Sequence, residues 1–141
     1  MQDWSSAASI AALLVAVVVI VAVLIVWWKG RVAVLPDARV FRASRLSRGN
    51  RLFPTQVIIS PASVLHYTPQ WIGKLEHSIH MAHVASVRID TNLLFSDVFI
   101  ETTGGASPIR CRGHHKKDAV EMKGLIERYQ TEYYRGQPTR G

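Results

Sequence analysis

Histidine is the residue type in this chain best suited to metal or proton chemistry, and three histidines fall at regular spacing. His77, His80 and His83 lie three residues apart, and imidazole is a common metal ligand and proton carrier. On a helix such steps drift by about 60° each, so the three rings could converge. The surrounding residues predict a strand instead, and no carboxylate motif or cysteine pair accompanies them, so no bound metal is predicted. His114 and His115 precede two lysines and are predicted to lie in a solvated turn.

The other reactive residue types form no catalytic motif. Asp97 and Glu101 are four residues apart on a predicted strand, so they would share its polar face and contact solvent. Gly104 and Gly105 predict a turn and not a phosphate-binding loop, because a strand follows them. The single cysteine, Cys111, cannot form an internal disulfide, which suits a reducing compartment. The chain is therefore predicted to be noncatalytic and to carry no cofactor.

Five arginines form the most regular pattern in the chain. They recur at every third position between residues 39 and 51, with no lysine or acid among them. Whether residues 36 to 51 form a short helix or a strand stays open. The arginines are Arg39, Arg42, Arg45, Arg48 and Arg51.

Nucleic acid, anionic lipid and an acidic surface of a neighbouring protein are the three partners that suit such a segment. A fourth possibility is a solvated stretch that only fixes topology. Anionic lipid would be served equally well by lysine, whereas arginine forms planar, bidentate pairs with carboxylates on a protein surface. No nucleic acid is expected, because the segment lies close to a predicted membrane span and Phe41 is its one aromatic residue.

The span itself precedes these arginines. Residues 10 to 28 are uninterrupted apolar residues, and Ala7 and Ala8 extend the run. About 20 residues cross the roughly 30 Å hydrocarbon core of a bilayer. The run has no polar face, unlike a buried core helix, and it lacks the basic start and cleavage site of a signal peptide. A transmembrane helix is predicted at about residues 7 to 28.

Charge predicts the orientation of this span. All 17 lysines and arginines follow it, so the positive-inside rule places the N-terminus outside and the rest of the chain in the cytoplasm of a bacterium, at its plasma membrane. Trp27 and Trp28 would anchor the inner interface, and Trp4 the outer one.

Small residues on the span suggest contact with another helix. Ala8, Ala12 and Ala16 repeat every four residues, a spacing that lets a second helix approach closely. Alanine is also simply common in membrane helices. Other transmembrane subunits are the partners that this stripe predicts.

Short strands and one helix are predicted after the arginines. Six strand-like runs are broken by turn residues, and a seventh is possible at residues 31 to 35. A C-terminal amphipathic helix is predicted from the apolar stripe of Met122, Ile126, Tyr129 and Tyr133. Asp118 and Glu121 predict a capping-box variant at its start. The predicted strands lie within residues 52–60, 64–68, 75–81, 82–91, 97–103 and 107–113.

The order of these runs resembles a known family. The succession TQVIIS, VLHYTPQWIGKLEHSI, MAHVASVRI, LLFSDVFIETTGG and PIRCRG, with Gly73 after the second strand and a closing helix, resembles the bacterial pleckstrin-homology-like (PH-like) domains over residues 52 to 130. These often sit beside transmembrane helices. The resemblance implies two orthogonal antiparallel sheets capped by the C-terminal helix, and binding or assembly in place of chemistry. It does not cover the five arginines.

The chain thus divides into an anchor (1–28), a basic juxtamembrane connector (29–51), a PH-like domain (52–135) and a tail (136–141). The predicted function is that of a noncatalytic, single-pass accessory subunit docked on a larger bacterial membrane complex, for example a respiratory, photosynthetic or secretory one. One alternative is a membrane-anchored PH-like regulatory module that binds anionic lipid. A third hypothesis is a metal-dependent activity that uses the histidines.

Overall fold

The N-terminal unit of the chain is one helix. The computed structural model describes residues 3 to 29, 36 to 70 and 72 to 136, and in it α1 spans Asp3–Lys29. Its segment Ser6–Trp28 is long and apolar enough to cross a membrane, and no part of it is buried. Such a helix near an N-terminus serves as a membrane anchor or as a signal sequence. The predicted apolar helix is confirmed, and it begins a few residues before the predicted span.

The second unit contains two antiparallel sheets and a helix. The first sheet has the order β1-β2-β3-β4 and the second the order β5-β6-β7. A 3₁₀ turn at Met81–His83 joins the two sheets, and α2 (Lys116–Arg135) follows the last strand. The strands are β1 Arg39–Arg42, β2 Gln56–Ile59, β3 Ser63–Pro69, β4 Lys74–His80, β5 Val84–Thr91, β6 Ser96–Thr102 and β7 Ile109–His114.

The described seventh strand lies in a segment whose conformation the sequence left open. The candidate at residues 31 to 35 lies outside the described residues, and the described seventh strand is β1, which pairs antiparallel with β2 from Arg39↔Ile59 to Arg42↔Gln56. Burial explains this placement, because Phe41 packs into the core from the centre of β1. The segment predicted as a connector therefore supplies the edge strand of the first sheet.

One hydrophobic core joins both sheets to α2. Val57, Ile100 and Ile109 are buried in it from the strands, and Met122 and Ile126 are buried from the helix. The predicted apolar stripe of α2 is confirmed for these two residues and continues to the partly buried Tyr129. Helix and sheets cover each other's apolar faces, which neither could do alone.

The predicted start of α2 is wrong by three residues. The N-cap residue is His115, which makes no side-chain capping bond, and Asp118 lies inside the first turn. The chain enters the helix directly from β7, so the helix begins before the predicted capping box. Asp118 instead places a carboxylate near the positive end of the helix dipole.

Candidate binding surface

The loop between β1 and β2 explains the three-residue spacing of the arginines. The N–H of Ser47 donates to the carbonyl oxygen of Ser44 at 3.1 Å, and the N–H of Asn50 donates to that of Ser47 at 3.2 Å. These bonds close two consecutive β-turns, which share Ser47. Ser47 and Asn50 are buried and Ser44 is half-buried, while the residue after each of them is exposed. These exposed residues are Arg45, Arg48 and Arg51.

Asn50 fixes this loop to the domain. Its side chain is 4% exposed, and its Nδ2 donates to Ser47 Oγ at 2.8 Å and to the carbonyl oxygen of Arg112 at 3.2 Å. Its Oδ1 accepts from the N–H of Thr55 at 3.2 Å. A buried amide with both its oxygen and its nitrogen satisfied holds the loop in one conformation.

Gly113 joins the loop to the second sheet. Its carbonyl oxygen accepts from the N–H of Ser44 at 2.8 Å, and its own N–H donates to Asp97 Oδ1 at 2.9 Å. Its φ of +74° is a left-handed conformation, and an added Cβ would overlap the side chain of Ser47. Both features require glycine here.

The turn between β5 and β6 carries exposed leucines and faces the loop. The N–H of Asn92 donates to the carbonyl oxygen of Phe95 at 2.8 Å and closes the turn. Leu93 and Leu94 at its tip are 90% and 71% exposed, and Leu46 on the opposite loop is 85% exposed. Loop and turn line an open groove of about 530 Å³.

The groove combines apolar walls with positive charge. Arg48 and Arg112 line it beside the leucines. Within the described parts of the chain, neither arginine forms an ion pair or a side-chain hydrogen bond. Asp97 also lines the groove, and its carboxylate accepts from the N–H of Gly113 but keeps its charge, so two guanidinium groups stand against one carboxylate. The two guanidinium groups are therefore available to an acidic ligand.

The five predicted arginines are divided between a strand and a loop. Arg39 Nη1 lies 3.4 Å from Glu121 Oε1, and both side chains are largely exposed, so this ion pair contributes little to stability. Arg42 is exposed at the end of β1. Of the five, only Arg48 lines the groove. The predicted role of the set in binding a partner or lipid stays a prediction.

A second basic feature lies on the three-stranded sheet. Arg88, Phe99 and Arg110 are directly opposite one another across β5, β6 and β7. The guanidinium carbons lie 5.1 Å and 5.6 Å from the centre of the Phe99 ring. Cation–π attraction holds both charges over the aromatic ring at the surface.

The three regularly spaced histidines do not converge. His77 lies within β4 opposite His66, while the rings of His80 and His83 are 6.4 Å apart. His80 Nδ1 accepts from the N–H of Ala82 at 3.3 Å, which begins the 3₁₀ turn. Among the described residues, no group of three or more histidine, cysteine or acidic side chains is placed to hold a metal.

His114 is buried, which corrects the prediction of a solvated turn. It is the last residue of β7 and is 0% exposed, because β7 runs on to α2 beneath the surface. Burial lowers the pKa of His114 to about 4, so the ring is neutral at neutral pH. Burial also lowers the pKa of His66, and the neighbouring His77 adds to that effect. His115, by contrast, is exposed as predicted.

The other reactive side chains are occupied or inert. Cys111 is fully buried, and burial raises the pKa of its thiol to about 12, so it carries no thiolate at neutral pH. Glu101 accepts a hydrogen bond from Ser86 Oγ at 2.7 Å, whereas Asp97 binds Gly113. These two carboxylates share β6 but do not act on one another.

The residues predicted to act within the membrane lie on α1. Ala8, Ala12 and Ala16 are exposed along the helix, and Trp27 and Trp28 are exposed near its end. The side chain of Trp4 lies outside the described part of the structure. Their roles in helix packing and interfacial anchoring stay predictions.

Sequence reasoning missed most of the groove. Two signals were present: Ser44, Ser47 and Asn50 share the three-residue period of the arginines, and two leucines occupy the predicted turn TNLLFS. The contribution of Arg112 had no local signal, since it depends on the packing of β7 against the loop. Comparisons of the chain with protein family models, with curated proteins and with solved structures find no match.

Proposed function

We propose that this chain is a noncatalytic, single-span accessory subunit that docks on a larger bacterial membrane protein complex. In this proposal α1 is a membrane anchor that packs against other transmembrane subunits, and a PH-like cytoplasmic domain presents the binding surface. The four-strand and three-strand sheets with their closing helix support the PH-like resemblance.

The observation that carries the proposal is the groove. Exposed leucines at two facing loop tips are costly in water and are typical of surfaces that a partner covers. Two arginines without ion pairs lie beside them, and arginine is enriched in protein interfaces.

The helix supports the same function. Its segment Ser6–Trp28 is long and apolar enough to cross a membrane, and no part of it is buried. In a bilayer, its small residues would allow close approach of a second helix.

Native migration tests the proposal. Membranes of the source bacterium are solubilised in mild detergent and separated on a native gel, and the chain is followed by immunoblot. Migration with a complex of defined composition is the expected result. Migration of the 15.8 kDa chain alone or as a small oligomer would contradict it.

A helix variant sharpens this test. Ala12→Leu should weaken co-migration while leaving membrane insertion intact, because the larger side chain blocks close helix approach. Ala11→Leu is the matched control, since position 11 lies about 100° around the helix from Ala12.

A second candidate function is binding of anionic lipid by the domain. The leucine tips beside exposed arginines favour it, because such loops also contact bilayers. Sedimentation of the full chain in neutral nanodiscs with anionic vesicles, reversed by high salt, is the result that this alternative predicts.

A further inference from the structure

The groove between the β1–β2 loop and the β5–β6 turn has a composition that specifies its ligand. We propose that it binds an acidic peptide segment with aliphatic side chains, carried by the partner protein. This inference rests on the proposed function and names the chemistry of the docking partner.

The apolar part of the ligand follows from the walls. Leu46 stands on one side of the groove and Leu93 and Leu94 on the other, and all three are largely exposed. Covering them removes apolar surface from water, which favours a ligand with aliphatic side chains. A volume of about 530 Å³ lies in the range of ligand-binding clefts.

The acidic part follows from Arg48 and Arg112. Both line the groove and neither is paired among the described residues. A guanidinium group binds a carboxylate through two parallel hydrogen bonds, and this pairing also orients the peptide. Arg45 and Arg51 are exposed on the same loop and would attract an acidic segment during encounter.

Concavity favours a peptide over a bilayer. A flat lipid surface would touch the leucine tips at the rim, whereas a peptide can also reach the arginines within the groove. The loop is held in place by the buried Asn50 and by Gly113, so little ordering is needed on binding. Such preorganisation increases affinity.

Site-specific crosslinking in native membranes tests the inference. The full chain carries Leu94→p-benzoylphenylalanine, and Val120→p-benzoylphenylalanine is the matched control, because Val120 is an exposed apolar residue on α2 outside the groove. After irradiation, mass spectrometry identifies the adduct. The expected adduct at position 94 is a protein segment with excess acidic residues and aliphatic neighbours.

A binding measurement completes the test. A synthetic peptide of the crosslinked segment is titrated against the full chain in phosphatidylcholine nanodiscs. Arg48→Glu and Arg112→Glu should each weaken its binding about tenfold or more, the size expected for loss of a charge-assisted hydrogen bond. Arg128→Glu makes the same charge change on α2, outside the groove, and should change binding by less than about twofold.

Several outcomes overturn the inference. These are an adduct at position 94 that contains only lipid, a protein adduct no stronger than at position 120, a crosslinked segment without excess acid, and equal effects of the three arginine variants. If the chain still co-migrates with a large complex in any of these cases, the proposed function stands and the groove inference alone fails. If the chain migrates alone, the proposed function fails with it.

Discussion

The β1–β2 loop and the β5–β6 turn face each other across the groove, and different interactions hold them. The loop is supported from below by Ser47 and by the buried Asn50, whose amide bonds three other residues. The turn is closed by one backbone bond from Asn92 to Phe95, and its leucines contact solvent. The arginines of the loop thus lie on a rigid support, whereas the leucines of the turn lie where they contribute little to folding stability. Substitutions in the loop should therefore lower the free energy of unfolding, whereas substitutions in the turn should weaken only the binding of the partner.

The largest effect on stability is expected at Gly113, which joins the loop to the second sheet. Gly113→Ala should lower the free energy of unfolding by about 3 kcal/mol, because it combines a left-handed backbone penalty with overpacking against Ser47. Urea unfolding of the full chain in detergent, followed by circular dichroism, measures this. Gly104→Ala is the control, since Gly104 also has positive φ (+81°) but no atom within 4 Å of an added Cβ.

The difference between the two glycine variants isolates the contact with Ser47. Gly104→Ala should cost about 1 kcal/mol, and Ser47→Gly should cost less in the Gly113→Ala background than in the unaltered chain. Equal losses at the two glycines would show that the contact with the loop is unimportant.

The second-largest effect on stability is expected at Asn50, which is buried beneath the loop. Asn50→Ala should destabilise the domain by about 2 to 3 kcal/mol, because the N–H of Thr55 and the carbonyl oxygen of Arg112 lose their partner. Asn92→Ala on the turn should change stability by less than about 0.5 kcal/mol. Chemical denaturation of both variants gives the comparison, and similar losses would contradict the assignment of rigidity to the loop.

A pH dependence of the free energy of unfolding is expected from the buried His114. His114 lies opposite Ser96, directly after the turn, and next to Gly113. Its pKa is about 4 in the fold against 6.5 when unfolded, so the unfolded state binds the proton more readily between these values. Stability is therefore present above pH 6.5 and is lost as the pH falls toward 4, by about 2 kcal/mol between pH 7 and pH 5.

Other charges around His114 set the size of this loss. Asp118 and Asp97 favour its protonation, whereas His66 and His115 oppose it, and the lowered pKa of His66 adds a loss of the same sign. His114→Gln should reduce the pH dependence of the urea midpoint without abolishing it, whereas His115→Gln, which removes only the smallest of these effects on His114, should change it much less. An unaltered profile in His114→Gln would show that His114 does not carry the effect.

The difference between the walls also explains what the sequence could predict. Alternation and turn residues located β2 to β7 and α2 because those signals are local. β1 was left open because the arginine period matches neither helix nor strand; it spans both a strand, where Phe41 is buried, and two turns. The position of Asn50 and the burial of His114 depend on contacts with distant strands, so no local pattern reports them.

The smallest stability effect, and the sharpest functional one, is expected at the leucine turn. Leu93→Ser combined with Leu94→Ser should leave the free energy of unfolding within about 0.5 kcal/mol of the unaltered chain, because both side chains already contact water in the fold. The same variant should lose co-migration with the complex, since its partner would no longer cover apolar surface. Val120→Ser on α2 removes an exposed apolar side chain outside the groove and should change neither quantity. A large loss of stability in the leucine variant would mean that the turn supports the fold, and unchanged co-migration would mean that the groove is not where the partner binds.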